Sequence, residues 1–236
     1  GHAMGIPTIG MVRAEPQELA NPTPTLQDCM DWGMKLVPVS RGEYRAKHLP
    51  FFKAWLRDQF GNPWIIPEGA GDALGTMGCQ GLITLEDLER PWSAEVVSAG
   101  TGATAAGMAL GLRGLSHLFV GSALKGVDMG SLIQGHLDSA LIDSIWASEI
   151  MEEVPPWHDV HQGGFGQIPA NVGAFMGQFQ TETGIELDGV YTAKTLLKLQ
   201  TVLQTPSAQR PEQFDRGARV LFVHTGGIQG NRSREF

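Results

Sequence analysis

The residues of this sequence with the clearest chemical potential are the small ones at positions 98–107, which read Ser-Ala-Gly-Thr-Gly-Ala-Thr-Ala-Ala-Gly. They follow a predicted buried strand at residues 95–98 and precede a predicted helix that ends near Leu112. Glycines let backbone amides approach an anion closely, and the start of a helix adds partial positive charge. The pattern therefore predicts a phosphate-binding turn formed by Gly100, Thr101, Gly102, Ala103 and Thr104.

Two other interpretations of this turn remain open at the level of sequence. Gly100, Gly102 and Ala105 also match a dinucleotide-binding fingerprint, which would make the chain a nicotinamide-dependent oxidoreductase. That fold expects a carboxylate about 20 residues further on to bind a ribose, and residues 118–122 contain none. The remaining interpretation is a glycine turn that serves only tight packing of a helix on a sheet. A phosphate-bearing ligand is favoured because the helix start and the threonine hydroxyls both suit an anion.

An alternation of apolar strands and amphipathic helices must position this turn. Such alternation predicts parallel sheets covered by helices. A loop rich in Gly and Pro at residues 67–71 predicts a domain boundary. Residues 1–70 would be part of a smaller α/β domain, and residues 71–236 a larger phosphate-binding α/β domain. The predicted strands are residues 8–12, 35–39, 64–66, 95–98, 118–120, 158–160 and 219–223. The main predicted helices are residues 25–32, 43–60, 74–89, 132–145, 172–183 and 192–203.

Composition restricts the class of partner. The chain has 236 residues, 42% of them hydrophobic and 18% charged, as in ordinary globular proteins. Its net charge of −8 argues against nucleic acid or an anionic membrane as the main partner, because both attract basic surfaces. No apolar run approaches the roughly 20 residues that a bilayer span needs. Cys29 and Cys79 have no metal-site spacing, which favours free thiols and a cytoplasmic location.

Four segments together resemble one family of enzymes. Residues 98–107 resemble the phosphate loop of fold-type II pyridoxal phosphate (PLP) enzymes. Three further segments resemble the branch that holds D-cysteine desulfhydrase and 1-aminocyclopropane-1-carboxylate (ACC) deaminase. They are residues 67–70 (Pro-Glu-Gly-Ala, against PEGG in the family), 187–194 (Leu-Asp-Gly-Val-Tyr-Thr-Ala-Lys, against LDPVYTGK) and 223–227 (Val-His-Thr-Gly-Gly).

The resemblance implies a fold, a cofactor and partners. The fold would be α/β, with the three-layer parallel-sheet architecture of fold-type II PLP enzymes, similar to the tryptophan synthase β subunit. The cofactor would be pyridoxal 5'-phosphate, the substrate a small amino acid, and the assembly a homodimer. The family's Schiff-base lysine and the serine turn after it lie on a segment upstream of the residues that match here, so we expect an N-terminally incomplete fold. None of the six lysines stands in a matching context.

The resemblance also implies roles for individual residues. The turn at residues 100–104 would hold the cofactor phosphate, and Thr225 would lie near the pyridine nitrogen. Tyr191 matches an active-site tyrosine of the family, and a tyrosine packed in the core with a satisfied hydroxyl is the less favoured alternative. Phe165 falls where many relatives have a second tyrosine. His158 and His161 lack a third ligand at useful spacing, so no metal site is predicted.

These observations predict a PLP-dependent deaminase or lyase. The reaction would be β-elimination from D-cysteine, giving pyruvate, sulfide and ammonia, or opening of the ACC ring. Thr192 and Thr225 stand where ACC deaminases have Glu and Leu, which favours the desulfhydrase pattern. The expected absence of the Schiff-base lysine predicts that the chain as it stands is inactive. The alternatives are a non-catalytic remnant of such an enzyme and the nicotinamide-dependent oxidoreductase.

Overall fold

The computed structural model describes residues 1–141 and 143–233, and these residues divide into two compact units. Residues 1–66 and 229–233 form the first unit, and residues 67–228, apart from position 142, form the second. Within the described residues, no helix combines the length and the apolar character that crossing a bilayer requires.

The first unit is a two-stranded parallel sheet with three short helices. Its elements are β1 (Ile9–Arg13), α1 (Pro24–Asp31), β2 (Lys35–Val39), α2 (Arg41–Arg45) and α3 (Pro50–Gln59). Ile9 pairs with Lys35 and Arg13 with Val39, so the strands align over their full length. Arg232 forms an ion pair with Asp28 of α1, which ties the end of the described chain to this unit.

The second unit is a four-stranded parallel sheet with helices on both faces. Its helices are α4 (Ala73–Cys79), α5 (Leu85–Glu89), α6 (Ala103–Leu112), α7 (Met129–Ala140), α8 (Ser144–Glu152), α9 (Ala170–Thr183) and α10 (Thr192–Gln204). Its strands are β3 (Ala94–Ala99), β4 (His117–Ser122), β5 (Pro156–Trp157) and β6 (Val220–Val223), and their spatial order is β5-β4-β3-β6.

The central strand β3 separates two hydrophobic layers. Val97 and Ala99 face a cluster formed mainly by α6, α7 and α8. Ala94 and Val96 face the other way, where they pack with Phe119, Leu199 of α10 and Phe214. All six residues of β3 are buried, as expected for a strand covered on both faces. The predicted three-layer parallel α/β fold is therefore confirmed.

Several predicted element boundaries are wrong, and turn residues explain them. The helix predicted over residues 43–60 is two helices, because Pro50 lacks an N–H donor and starts α3 instead. The helix predicted over residues 74–89 ends at Cys79, and Thr84 caps a second helix through a capping box. The helix predicted over residues 132–145 is also divided, since Asp143 caps α8; residue 142 lies outside the described residues.

Two predicted strands are absent from the described fold. Residues 64–66 pair with no other strand, and Trp64 and Ile66 are 77% and 72% exposed. The apolar run there is therefore not a buried strand. Residues 158–160 form a turn, and the edge strand precedes them at Pro156–Trp157. Short apolar runs fit a strand or a loop equally well when no partner strand is known.

Candidate functional site

The glycine turn lies between the carboxyl end of β3 and the start of α6. Gly102 is the N-cap residue of α6 with φ of 87°, a left-handed conformation that favours glycine. No side chain caps this helix, so the first amides of α6 are available to an anion. The predicted phosphate-binding residues therefore occupy a strand–turn–helix of the kind that binds phosphate in other folds.

Tyr191 packs directly against this turn. A Cβ atom built on Gly100 would lie 3.0 Å from Cε1 of Tyr191 and 3.3 Å from its hydroxyl oxygen. Only a glycine leaves the ring this close to the backbone of the turn. Tyr191 and the turn are 91 positions apart in the sequence, and the fold brings the two predicted site features together.

The Pro-Glu-Gly-Ala segment also contacts the turn. A Cβ atom on Gly69 would lie 2.5 Å from Oγ1 of Thr101, so the threonine side chain lies against the bare backbone of Gly69. Gly69 has φ of 64°, and Ala70 beside it has φ of 51°. The second resembling segment therefore supports the first through a close approach that requires glycine.

His136 is a third support of the turn, and sequence reasoning missed it. The Nε2 atom of His136 lies 2.9 Å from the carbonyl oxygen of Thr101. A carbonyl oxygen only accepts, so His136 must carry its proton on Nε2. The ring also lies 3.1 Å from where a Cβ atom on Gly71 would be. The one available signal was a histidine in the middle of an otherwise amphipathic helix.

The environment of Tyr191 keeps its phenol protonated. Burial, together with the negative charges of Asp188 and Glu68, raises the pKa of Tyr191. The ring of Phe165 meets that of Tyr191 edge to face, with 5.9 Å between the ring centres. Because Tyr191 is only half-buried, its protonated phenol is still accessible to a small ligand beside the turn.

Asp188 fixes the start of α10 and hence the position of Tyr191. Its Oδ1 atom accepts a 2.6 Å hydrogen bond from the backbone N–H of Tyr191. A Cβ atom on Gly227 would lie 2.9 Å from Cγ of Asp188, so the segment after β6 passes directly beside this carboxylate. The two resembling segments at residues 187–194 and 223–227 are therefore in contact.

Thr225 lies in the segment that follows β6, at the same edge of the sheet as the glycine turn. Strands β3 and β6 are parallel neighbours, so their carboxyl ends point the same way. Thr225 is exposed. The backbone N–H of Gly226 donates to Nδ1 of His224, and Nε2 of His224 lies 2.9 Å from the carbonyl oxygen of Glu186. His224 is therefore a support of this segment, with its proton on Nε2.

Ser98, near the end of β3, has a hydroxyl group without a hydrogen-bond partner among the described residues. Its Oγ atom is buried. Buried polar atoms without partners are rare in folded proteins and often mark a place where a ligand or water binds. The orphan hydroxyl precedes the turn by one residue, Ala99.

His158 and His161 show no metal-binding arrangement. The Nδ1 atom of His161 accepts a hydrogen bond from the N–H of Gly163, so His161 stabilises a turn. Within the described ranges, no three His, Cys, Asp or Glu side chains are grouped so that they could hold a metal ion. Strand β4 ends with Gly121 and Ser122, without the carboxylate that a dinucleotide fold would place there.

The sequence is similar to one group of known enzymes. The chain is 30% identical over 172 residues to a Pyrococcus horikoshii protein named "Putative 1-aminocyclopropane-1-carboxylate deaminase". The match covers 71% of this chain and 50% of that protein, so the chain spans about half the length of this relative. No protein-family model matches the chain.

Solved structures show the same fold. The crystal structure of an ACC deaminase homologue matches with a TM-score of 0.71 at 24% identity, over 97% of this chain and 68% of that chain. A pyridoxal 5'-phosphate-dependent aspartate racemase matches with a TM-score of 0.55 at 14% identity, over 96% of this chain and 68% of that one. The fold of fold-type II PLP enzymes and the relationship to ACC deaminase-like proteins are therefore confirmed.

Proposed function

We propose that this chain supplies the cofactor-phosphate site and a proton-donating tyrosine of a PLP-dependent enzyme that deaminates a small amino acid. The uncapped start of α6, with its glycine turn held against Tyr191, is the observation that carries this proposal. The preferred reaction is β-elimination from D-cysteine, which releases pyruvate, sulfide and ammonia. When bound, PLP supplies the electron sink that stabilises negative charge at the substrate Cα.

The residues of the turn fit the phosphate of this cofactor. The amides at the start of α6, which no side chain caps, suit a dianion. Gly100, Thr101, Gly102, Ala103 and Thr104 would bind the phosphate, as the sequence predicts. Thr225 is proposed to meet the pyridine nitrogen, where a neutral hydroxyl stabilises a protonated ring less than a carboxylate would.

Tyr191 is proposed as the catalytic residue. The raised pKa keeps the phenol protonated at neutral pH, where we propose that it donates a hydrogen bond and, in the reaction, a proton. Replacement by Phe keeps the ring that packs on Gly100 and removes only the hydroxyl group. In an active assembly that contains this chain, Tyr191→Phe is therefore expected to lower kcat by roughly 100-fold or more without weakening cofactor binding.

The phosphate site is tested by cofactor titration with matched glycine variants. Gly102→Ala places a side chain at φ of 87°, and Gly114→Ala does the same at φ of 75° beyond the end of α6. We expect only the Gly102 variant to lose PLP binding, and inorganic phosphate to displace PLP from the parent chain. Equal PLP affinity in both variants, or no competition by phosphate, would overturn the assignment.

Substrate choice is tested by competition between D-cysteine and ACC. Thr192 is fully buried, and its hydroxyl accepts a 2.8 Å hydrogen bond from the N–H of Asp188, so it is engaged in the helix cap. Together with Thr225 it follows the pattern of desulfhydrase-like members. We expect an active assembly that contains this chain to release sulfide from D-cysteine faster than it opens ACC. A clear preference for ACC would contradict this.

We further propose that none of the six lysines in these 236 residues bonds covalently to the cofactor. The Nζ atom of Lys194 is hydrogen-bonded to two backbone carbonyls, and Lys198 is paired with Asp159. Borohydride reduction of the PLP-treated chain, followed by peptide mass mapping, should give no stoichiometric pyridoxyl-lysine. A single modified lysine together with turnover would show that the covalent residue lies within this sequence.

A further inference from the structure

Lys194 is a fully buried lysine in the first turn of α10. Its Nζ atom donates to the carbonyl oxygen of His161 at 2.9 Å and to that of Gly164 at 3.0 Å. Both carbonyls belong to one irregular segment, residues 161–166. The lysine therefore joins the start of α10 to this segment, 30 or more positions earlier in the chain.

This position is an expensive one for a cation. A buried ammonium loses its hydration, and hydrogen bonds must replace it. The first turn of a helix also carries partial positive charge, which repels a lysine and favours an anion. Asp188 is buried at the same helix end and supplies such an anion. The two hydrogen bonds of Lys194 to His161 and Gly164 make this segment the structure that the lysine holds.

The segment held by Lys194 carries Phe165. Gln162, Gly163, Gly164 and Gly166 all have positive φ, so a sharp irregular turn flanks Phe165 on both sides. Phe165 is 58% exposed, and its described ring contact is the edge-to-face one with Tyr191. An exposed aromatic ring on such a turn keeps one position only if other residues hold the backbone of the turn in place.

We propose that Lys194 is a positioning residue: it sets the backbone of residues 161–166 so that Phe165 stands over Tyr191 and forms one wall of the amino-acid site. The assignment of that site to Tyr191 rests on the proposed function. In this proposal Lys194 acts through the backbone of residues 161–166 and is not a catalytic residue.

The titration of Tyr191 tests the proposal without cofactor or substrate. The chain has two tyrosines, so a Tyr44→Phe background makes the ultraviolet signal of phenolate specific for Tyr191. In that background, Lys194→Met should free Phe165, admit water to the ring, and lower the pKa of Tyr191 toward its ordinary value. Loss of a positive charge alone would raise that pKa, so the sign separates the two effects.

Two further variants complete the test. Lys198 lies in the same helix as Lys194, and its Nζ atom donates a hydrogen bond to the side chain of Asp159. The variant Lys198→Met should leave the pKa of Tyr191 unchanged. Phe165→Ala should lower that pKa as Lys194→Met does, and the double variant should show no additional fall. Additive falls, or an unchanged pKa in the folded Lys194→Met protein, would overturn the proposal.

Hydrogen exchange supplies an independent measurement. Loss of the two charge-assisted bonds should accelerate amide exchange in residues 161–166 by about tenfold or more, with α10 unaffected. If Lys194→Met does not fold, Lys194→Gln is used, which keeps donors on a shorter side chain. If neither variant folds, Lys194 is needed for the folding of the whole second unit, and the proposal is overturned. Because neither readout involves turnover, an error in the proposed function would not alter these results.

Discussion

At the scale of single residues, Ala70 has a backbone conformation that suits glycine. Its φ is 51°, and the resembling family has glycine at this position. A left-handed conformation costs a non-glycine residue about 1–2 kcal/mol, of which the greater freedom of glycine in the unfolded chain offsets part. We therefore expect Ala70→Gly to raise the free energy of unfolding by up to about 1 kcal/mol.

The matched control for this variant lies in a regular helix. Ala174 is exposed within α9, where glycine should lower the free energy of unfolding by about 1 kcal/mol. Urea denaturation of both variants measures the difference. If Ala70→Gly destabilises the protein as much as Ala174→Gly does, the positive φ at Ala70 causes no strain that glycine relieves.

Glu95 should make stability depend on pH. Its carboxylate is fully buried in β3 without a hydrogen-bond partner among the described residues, and desolvation, with a smaller effect of Asp87, raises its pKa to about 7. The folded protein therefore holds this proton more tightly than the unfolded chain. The resulting stability is fully present below the unfolded pKa of 4.5 and is lost as pH rises through 7, a change of about 3 kcal/mol.

Replacement by the neutral isostere isolates this effect. Glu95→Gln should remove most of the fall in the free energy of unfolding between pH 5 and pH 8, because an amide does not ionise. Glu89→Gln, at an exposed position of α5, should leave the fall intact. A Glu95→Gln protein that keeps the parent's pH dependence would rule out Glu95 as its source.

The sequence predicted some of these residues and not others, for a physical reason. Gly100 and Tyr191 lie in motifs whose chemistry is local, and the structure places them in contact. His136 acts through one carbonyl in a turn 35 positions earlier, and Lys194 through carbonyls about as distant. Nothing in the local sequence of either residue reveals a partner that only the tertiary fold supplies.

At the scale of elements, α6 and α4 are packed so closely that glycine is required. A Cβ atom on Gly107 would lie 2.3 Å from the carbonyl oxygen of Thr76 and 2.4 Å from Cβ of Cys79. Gly107→Ala should therefore lower the free energy of unfolding by about 1–3 kcal/mol through overpacking. It should also weaken PLP binding, since α6 carries the proposed phosphate turn at its start.

A glycine in open space gives the opposite result. Gly177 lies within α9 with no atom near its virtual Cβ, so Gly177→Ala should raise the free energy of unfolding by about 0.5–1 kcal/mol. Thermal denaturation of the pair decides the question. Stabilisation by both substitutions would mean that α4 moves aside without cost.

For the strands that do form, the sequence predicted their limits better than it predicted the limits of the helices. A buried parallel strand such as β3 is a continuous apolar run, which is visible in the sequence. Helix ends depend on single residues: Pro50 and Thr84 begin new helices inside stretches whose apolar spacing continues across them. Periodicity finds the existence of an element more reliably than its limits.

At the scale of the whole molecule, the two units differ in the size of their cores. In residues 1–66 the buried hydrophobic side chains are those of Val39, Phe52 and Leu56, whereas β3, β4 and α6–α8 share a large continuous cluster. Backbone amides of β1 and β2 should therefore exchange with solvent at least about tenfold faster than those of β3 and β4. Mass-spectrometric exchange on the full chain measures this, and equal protection in both sheets would contradict it.

The ion pair between Arg232 and Asp28 has a consequence for the order of synthesis. Its partners are 204 positions apart, and the whole second unit lies between them in the chain. A ribosome that adds about 5–20 residues per second needs roughly 10–40 s to travel from one partner to the other. During that time β1, β2 and α1 have been synthesised, but residues 229–233, which belong to the same unit, have not. Of the two units in this sequence, the one that is translated earlier is thus completed later.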